Sequence, residues 1–191
     1  MIVDALILAG GRSSRLGHSD KQKLQIGGET LLRRAVEAVQ ASGVRHVLIV
    51  GDEGMDDVPS VREQPAFAGP VAAIAAGLRA LPSDADALLV LACDMPDMAA
   101  ALPALIDGFA RDGVIAVDRE RRQQLMIVVR NVALAAAIEQ LPTVVDASMR
   151  RLLGNLDLVE VVVPEGSTDD IDTWDDAARF GATRTTDRSS P

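Results

Sequence analysis

The chain has 191 residues, 48% of them hydrophobic and 25% charged, which suits one globular domain large enough to bury a real core. The net charge of −9 excludes a general nucleic-acid-binding surface, and the few cations gathered near residues 12–23 leave room for a phosphate ligand. The single cysteine, Cys93, excludes an intrachain disulfide. No apolar run approaches the roughly 18 residues that a membrane span needs, and the N-terminus carries Asp4 without a basic leader. A cytoplasmic protein that engages neither membrane nor nucleic acid is therefore expected.

Aromatic residues make up only 2% of the chain, so the core is to be built from Ala, Val, Leu and Ile. Such a core fits a buried parallel sheet. Val3–Ala9 reads as the first strand. Thr30–Ala41 reads as a helix with Leu31, Leu32, Ala35, Val36 and Val39 on one face, ended by Gly43. His46–Val50 is the next strand. Gly69-Pro70 introduces a helix over Val71–Leu81. Ala87–Ala92 is almost wholly apolar and so should be a central strand. A helix over Ala99–Ala110, strands at Val114–Val117 and Leu125–Val129, and a helix over Val132–Leu141 follow. Ser148–Leu153 is a short helix, Leu158–Val163 an edge or near-edge strand, and Thr173–Phe180 the last helix. The order implies a single Rossmann-like three-layer α/β/α domain over residues 1–181 with a mostly parallel sheet, and a polar, disordered tail over 182–191. Ligands of such folds bind beyond the carboxyl ends of the strands. Chemistry is thus expected in the loops after Ala9, Val50, Ala92 and Val163.

The first strand runs into Gly10-Gly11-Arg12-Ser13-Ser14-Arg15-Leu16-Gly17, followed by Asp20-Lys21. Paired glycines let backbone N–H groups approach phosphate oxygens, and Arg15 and Lys21 can neutralise a triphosphate. The loop has neither the spacing of a P-loop nor the G-x-G-x-x-G of a dinucleotide oxidoreductase. Asp94 directly follows the central strand, in Cys93-Asp94-Met95-Pro96, where a carboxylate faces the ligand crevice or caps a helix. Asp170 and Asp172 point the same way if their segment is extended. Asp172 either adds a carboxylate to a metal or caps the final helix. His18 and His46 are the only histidines and read as surface residues, and Cys93 reads as a small core hydrophobe.

Four motifs in register carry a resemblance: LILAGGRSSRLG…DK from Leu6 to Lys21, GPVAAIAAGL at 69–78, ACDMP at 92–96 and DIDTWDD at 170–176. Across roughly residues 3–180 the chain resembles the molybdenum-cofactor guanylyltransferase group of nucleotidyltransferases. The resemblance implies a GTP site formed by Leu8, Ala9, Gly10, Gly11, Arg15, Lys21, Gly69, Ala73 and Asp94. Arg15, Lys21 and Asp94 would serve catalysis, with Asp94 the principal Mg²⁺ ligand and Asp172 a second. Arg150 and Arg151 stand where the group carries basic residues toward a pterin acceptor, and Arg119, Arg121 and Arg122 are further candidates. The implied reaction moves GMP from GTP to molybdopterin, a phosphorylated pterin, and releases pyrophosphate. The resemblance also implies hand-over to molybdoenzyme-maturation proteins, and a monomer is the default. Ala73 stands where the group usually has Gly, and Asp170 and Asp172 where it typically has Asn. These departures keep open CTP as donor, a sugar phosphate or phospholactate as acceptor, and a non-catalytic nucleotide-binding relative.

Overall fold

A computed structural model of the chain describes residues 1–10, 23–52, 54–82 and 84–184. Its strands are β1 (Val3–Leu8), β2 (Gln25–Ile26), β3 (Glu29–Thr30), β4 (Val47–Val50), β5 (Ser60–Val61), β6 (Ala87–Ala92), β7 (Gly113–Val117), β8 (Gln123–Arg130) and β9 (Leu158–Val162). Its α-helices are α1 (Leu31–Ala41), α2 (Pro70–Ala80), α3 (Leu102–Asp107), α4 (Asn131–Glu139), α5 (Met149–Leu153) and α6 (Trp174–Arg179). Seven strands form one sheet in the order β5-β4-β1-β6-β8-β7-β9. β5, β4, β1 and β6 run parallel. β7 and β9 also pair in parallel, and β8 runs antiparallel between β6 and β7.

Alternation along the strands divides the core into two layers. Ala5 and Ile7 of β1 join Leu89 and Leu91 of β6 beneath α1 and α3. Leu6 and Leu8 join Leu88 and Val90 against α2, α4 and α5 on the other face. β1 and β6 are therefore apolar at successive positions because both faces are covered. β9 takes the edge, as expected for its half-buried side chains.

Several local features differ from the sequence expectation, among them the short strand β5, which was not expected. β8 is antiparallel because residues 118–122 form a tight turn closed by Arg121 N–H to Asp118 O at 3.0 Å, and a link this short can join only antiparallel strands. The helix expected over Ala99–Ala110 is split into a 3₁₀ turn at Met98–Ala100 and α3 from Leu102. Pro103 lacks an N–H and fits only a first turn, so it fixes a new helix start just before it. The β2–β3 hairpin was not expected. Its two-residue turn, Gly27-Gly28, has φ of +63° and +91°, which glycine adopts without Cβ strain. At the other end of the described chain, Ala182–Arg184 belong to the segment expected as tail. Thr183 pairs with Gln25 there, and residues 185–191 lie outside the described residues.

Candidate functional site

The carboxyl ends of β1, β4 and β6 open into a cavity of about 690 Å³. Leu8, Ala9 and Gly10 form one part of its lining, Val50 another, and Ala92, Cys93 and Asp94 a third. The 63–70 loop and the start of α2 bring Gly69 and Ala73 to the same cavity, and Leu125, Val145 and Asp146 complete its lining. Internal hydrogen bonds fix the 63–70 loop. The buried Glu63 carboxylate accepts the Phe67 N–H at 2.9 Å, and Asp146 N–H donates to Ala68 O at 2.8 Å. The Arg62 guanidinium lies 4.9 Å from the centre of the Phe67 ring. Gly51, just after β4, has φ of +155°, and a Cβ there would stand 2.6 Å from the carbonyl carbon of Ala9. Only glycine lets these two loops meet so closely at the cavity mouth.

A carboxylate cluster stands at the end of β6. Single oxygens of Asp94, Asp170 and Asp172 all lie within 4.8 Å of one another, and all three residues are half-buried. A main-chain bond from Ile171 N–H to Asp94 O, 3.0 Å long, joins the two segments. Three hard oxygen donors at this spacing suit a small divalent cation that retains part of its water or gains ligand phosphates. Neither Asp94 nor Asp172 caps a helix. Thr173 is the N-cap of α6, accepting from Asp176 N–H at 3.2 Å. Asp176 completes the box by accepting from Thr173 N–H at 2.9 Å and from Asp172 N–H at 3.2 Å. The Thr173 hydroxyl is the main influence that holds the Asp176 carboxyl below the ordinary carboxylate range.

The sequence-expected site residues divide into three groups. Leu8, Ala9, Gly10, Gly69, Ala73 and Asp94 share the one cavity. Gly11, Arg15 and Lys21 lie outside the described residues. Arg150 lines a second cavity of about 950 Å³ with Arg121, Gln123 and Glu160, whereas Arg151 is exposed on α5 and is not part of that lining. Leu125 lines both cavities, so they adjoin. Arg121 pairs with Glu160 within the second cavity. Arg119 pairs with Glu165 at 3.4 Å and Arg122 with Asp118 at 2.7 Å, which explains both as surface ion pairs. Cys93 is buried, as expected of a small hydrophobe. His46 hydrogen-bonds the fully buried Asp4 at 3.1 Å, and His18 lies outside the described residues.

Sequence reasoning missed Glu63, Phe67 and Asp146. They sit in loops without periodicity, and nothing in their spacing signals that they meet. Asp170, expected on the same side as Asp172, joins the carboxylate cluster, and its i, i+2 spacing carried that signal.

A family model described as the MobA-like NTP transferase domain matches residues 5–161. A molybdenum cofactor guanylyltransferase from Shewanella amazonensis is 29% identical over 138 residues, which is 67% of this chain and 69% of that protein. Among solved structures, molybdopterin-guanine dinucleotide biosynthesis protein A from Archaeoglobus fulgidus aligns with a TM-score of 0.71 at 19% identity, covering 93% of this chain and 96% of that one. A nucleotidyl transferase from Methanothermobacter aligns with a TM-score of 0.76 at 20% identity, covering 94% and 95%. At these identities the structural matches speak to the fold.

Proposed function

The chain belongs to the MobA-like NTP transferase family and is a nucleotidyltransferase, and from that premise we propose that it transfers GMP from GTP to the phosphate of molybdopterin, releasing pyrophosphate. The observation that carries this reading is the meeting of Asp94, Asp170 and Asp172 at the end of β6, beside the cavity that Gly10 and Gly69 line. The name carried by the Shewanella relative supports the donor and the acceptor. The four sequence motifs carry a resemblance to the same group.

The reaction needs little covalent help from the protein. An acceptor phosphate oxygen attacks the α-phosphorus, a new P–O bond forms, and the bond to the β-phosphate oxygen breaks. The attacking phosphate is already anionic, so no general base is required. Catalysis then rests on positioning and on neutralising the leaving group. The N–H groups of Gly10 and Gly11, with Arg15, hold the β- and γ-phosphates in this reading, and Lys21 stands near the α-phosphate. Asp94, Asp170 and Asp172 would hold Mg²⁺, which supplies Lewis-acid neutralisation of phosphate charge when bound. The adjoining second cavity takes the acceptor, with Arg150 in its wall and Arg151 on the same helix. Among the described residues no helix is long and apolar enough to cross a membrane. We place the reaction in the cytoplasm, carried out by a monomer that passes its product to molybdoenzyme-maturation proteins.

The test is pyrophosphate release from purified protein with Mg²⁺ and each NTP in turn, with and without molybdopterin. Acceptor-dependent release with GTP is the expected result, and it would make Ala73 a tolerated replacement for glycine. Release with CTP alone would overturn the donor assignment while keeping the acid cluster. GTP binding without release would overturn the acceptor, and a panel of sugar phosphates and phospholactate would then separate another transferase from a non-catalytic relative.

A further inference from the structure

Three carboxylates line the donor cavity: Glu63, Asp94 and Asp146. None of the described residues in its lining is basic. Acidic groups in a site for an anionic ligand need separate explanations. Asp94 belongs to the acid cluster, and Glu63 is buried with one oxygen taken by the Phe67 N–H. Asp146 has neither role and is exposed at the cavity. Its carboxylate makes no hydrogen bond or ion pair to a described residue. Its backbone, however, is held firmly, with φ of +54° and its N–H bonded to Ala68 O at 2.8 Å. Its Cα also lies 3.9 Å from the position of a Cβ built on Gly69. An Asp in the left-handed region is an uncommon conformation, tolerated by Asp and Asn better than by most residues.

The position of Asp146 within the cavity suggests its partner. The phosphate end is marked by Gly10 and Asp94 at the strand ends. Apolar lining comes from Pro65, Ala66, Phe67 and Val145, of the 63–70 loop and the segment that bonds to it through Asp146. Apolar walls suit a base, and Asp146, next to Val145 and bonded to Ala68, is a polar group beside them. An ionised carboxylate can only accept hydrogen bonds, up to two in parallel from a planar pair of donors. Guanine presents such a pair, N1–H and the 2-amino group. Cytosine presents one amino group next to an acceptor nitrogen, which a carboxylate repels.

Building on the GTP reading, we propose that Asp146 is the specificity-determining residue that reads the N1–H and 2-amino edge of guanine in the donor nucleotide. A site built around ligand donors penalises analogues that lack them far more than an apolar pocket penalises a missing methylene. ITP lacks the 2-amino group and is otherwise the same as GTP, so it isolates this contact.

The experiment measures binding and steady-state turnover with GTP, ITP, CTP, 2′-deoxy-GTP and 3′-deoxy-GTP for the wild-type chain, Asp146→Asn and Asp146→Ala. Asn accepts the left-handed backbone, so Asp146→Asn keeps the test alive even if the alanine variant folds poorly. The expected result is a KM and Kd for GTP raised by about tenfold or more, as fits loss of charge-assisted hydrogen bonds, with kcat little changed. The wild-type preference for GTP over ITP should collapse in both variants. Unchanged GTP affinity and an unchanged GTP-to-ITP ratio would overturn the assignment of Asp146 and leave the GTP reading standing. Loss of discrimination against the deoxy nucleotides instead of ITP would place the carboxylate on the ribose and also overturn it. A wild-type chain that binds CTP and not GTP would overturn the GTP reading, and the Asp146 assignment with it.

Discussion

At the scale of single residues, the acid cluster carries the sharpest expectation. Asp94 caps no helix, and the bond joining its segment to Ile171 uses its main-chain oxygen. Asp94→Ala should therefore fold normally. It should lose about two to three orders of magnitude in kcat, since a metal contributes several kcal/mol to a charged transition state and each 1.36 kcal/mol is tenfold. Thermal unfolding adds a readout independent of turnover. Mg²⁺ at a hundred times its Kd would raise wild-type stability by about 2.7 kcal/mol, and the variant should lose most of that gain. Turnover near the wild-type value, or an undiminished Mg²⁺ effect, would remove Asp94 from the site. The place of Asp94 at the cavity was legible because a residue directly after an apolar central strand lies at the carboxyl end of the sheet. Asp172 was ambiguous between ligand and cap. In three dimensions Thr173 takes the capping role, and the Asp172 carboxylate lies beside Asp94. Glu63 and Asp146 were not legible, because their roles depend on how two irregular loops lie against each other.

At the scale of elements, the short helix α6 determines where Asp172 points. Its capping box uses the Thr173 hydroxyl and the Asp176 carboxylate, and that carboxylate also accepts the main-chain N–H of Asp172. Thr173→Ala should cost about 1 kcal/mol of stability through the lost cap. It should also weaken Mg²⁺ binding, because the Asp172 backbone loses part of its support. Acid should mimic the first effect. The folded-state pKa of Asp176 lies below its ordinary value, so the carboxylate contributes stability above the ordinary range, and that contribution is lost as pH falls through the depressed value. Denaturant midpoints of wild type and Thr173→Ala should therefore converge on acidification below the ordinary carboxylate range. A constant gap down to the pH of global unfolding would show that the box does not depend on that charge. Most elements were legible from periodicity, and α1 recovered its expected buried face of Leu31, Leu32, Ala35, Val36 and Val39. The failures were at punctuation. Pro103 restarted a helix, Gly27-Gly28 made a hairpin, and the 118–122 turn reversed a strand.

At the scale of the whole molecule, the acid cluster is assembled from segments far apart in sequence. Asp94 follows β6, while Asp170 and Asp172 follow β9 at the far edge of the sheet. The returning segment is secured by a small apolar cluster of Leu24, Leu31, Ile171 and Ala177, distinct from the two main core layers. Ile171 is fully buried in it and lies between the two acids in sequence. This arrangement separates global stability from site geometry. Ile171→Ala and Ile127→Ala each empty a fully buried position, and each should cost about 2–5 kcal/mol. Ile127 belongs to the layer beneath α2 and α4 and is not a member of the Ile171 cluster. Its loss should lower the unfolding midpoint and leave the Mg²⁺ affinity of the folded protein unchanged. Ile171→Ala should lower both, since the segment bearing Asp170 and Asp172 loses its anchor. Mg²⁺ titrations of both variants under conditions where each is folded decide the matter. Equal affinities would mean that the main-chain bond from Ile171 to Asp94 alone holds the two segments in register, and that the apolar cluster serves stability without shaping the site.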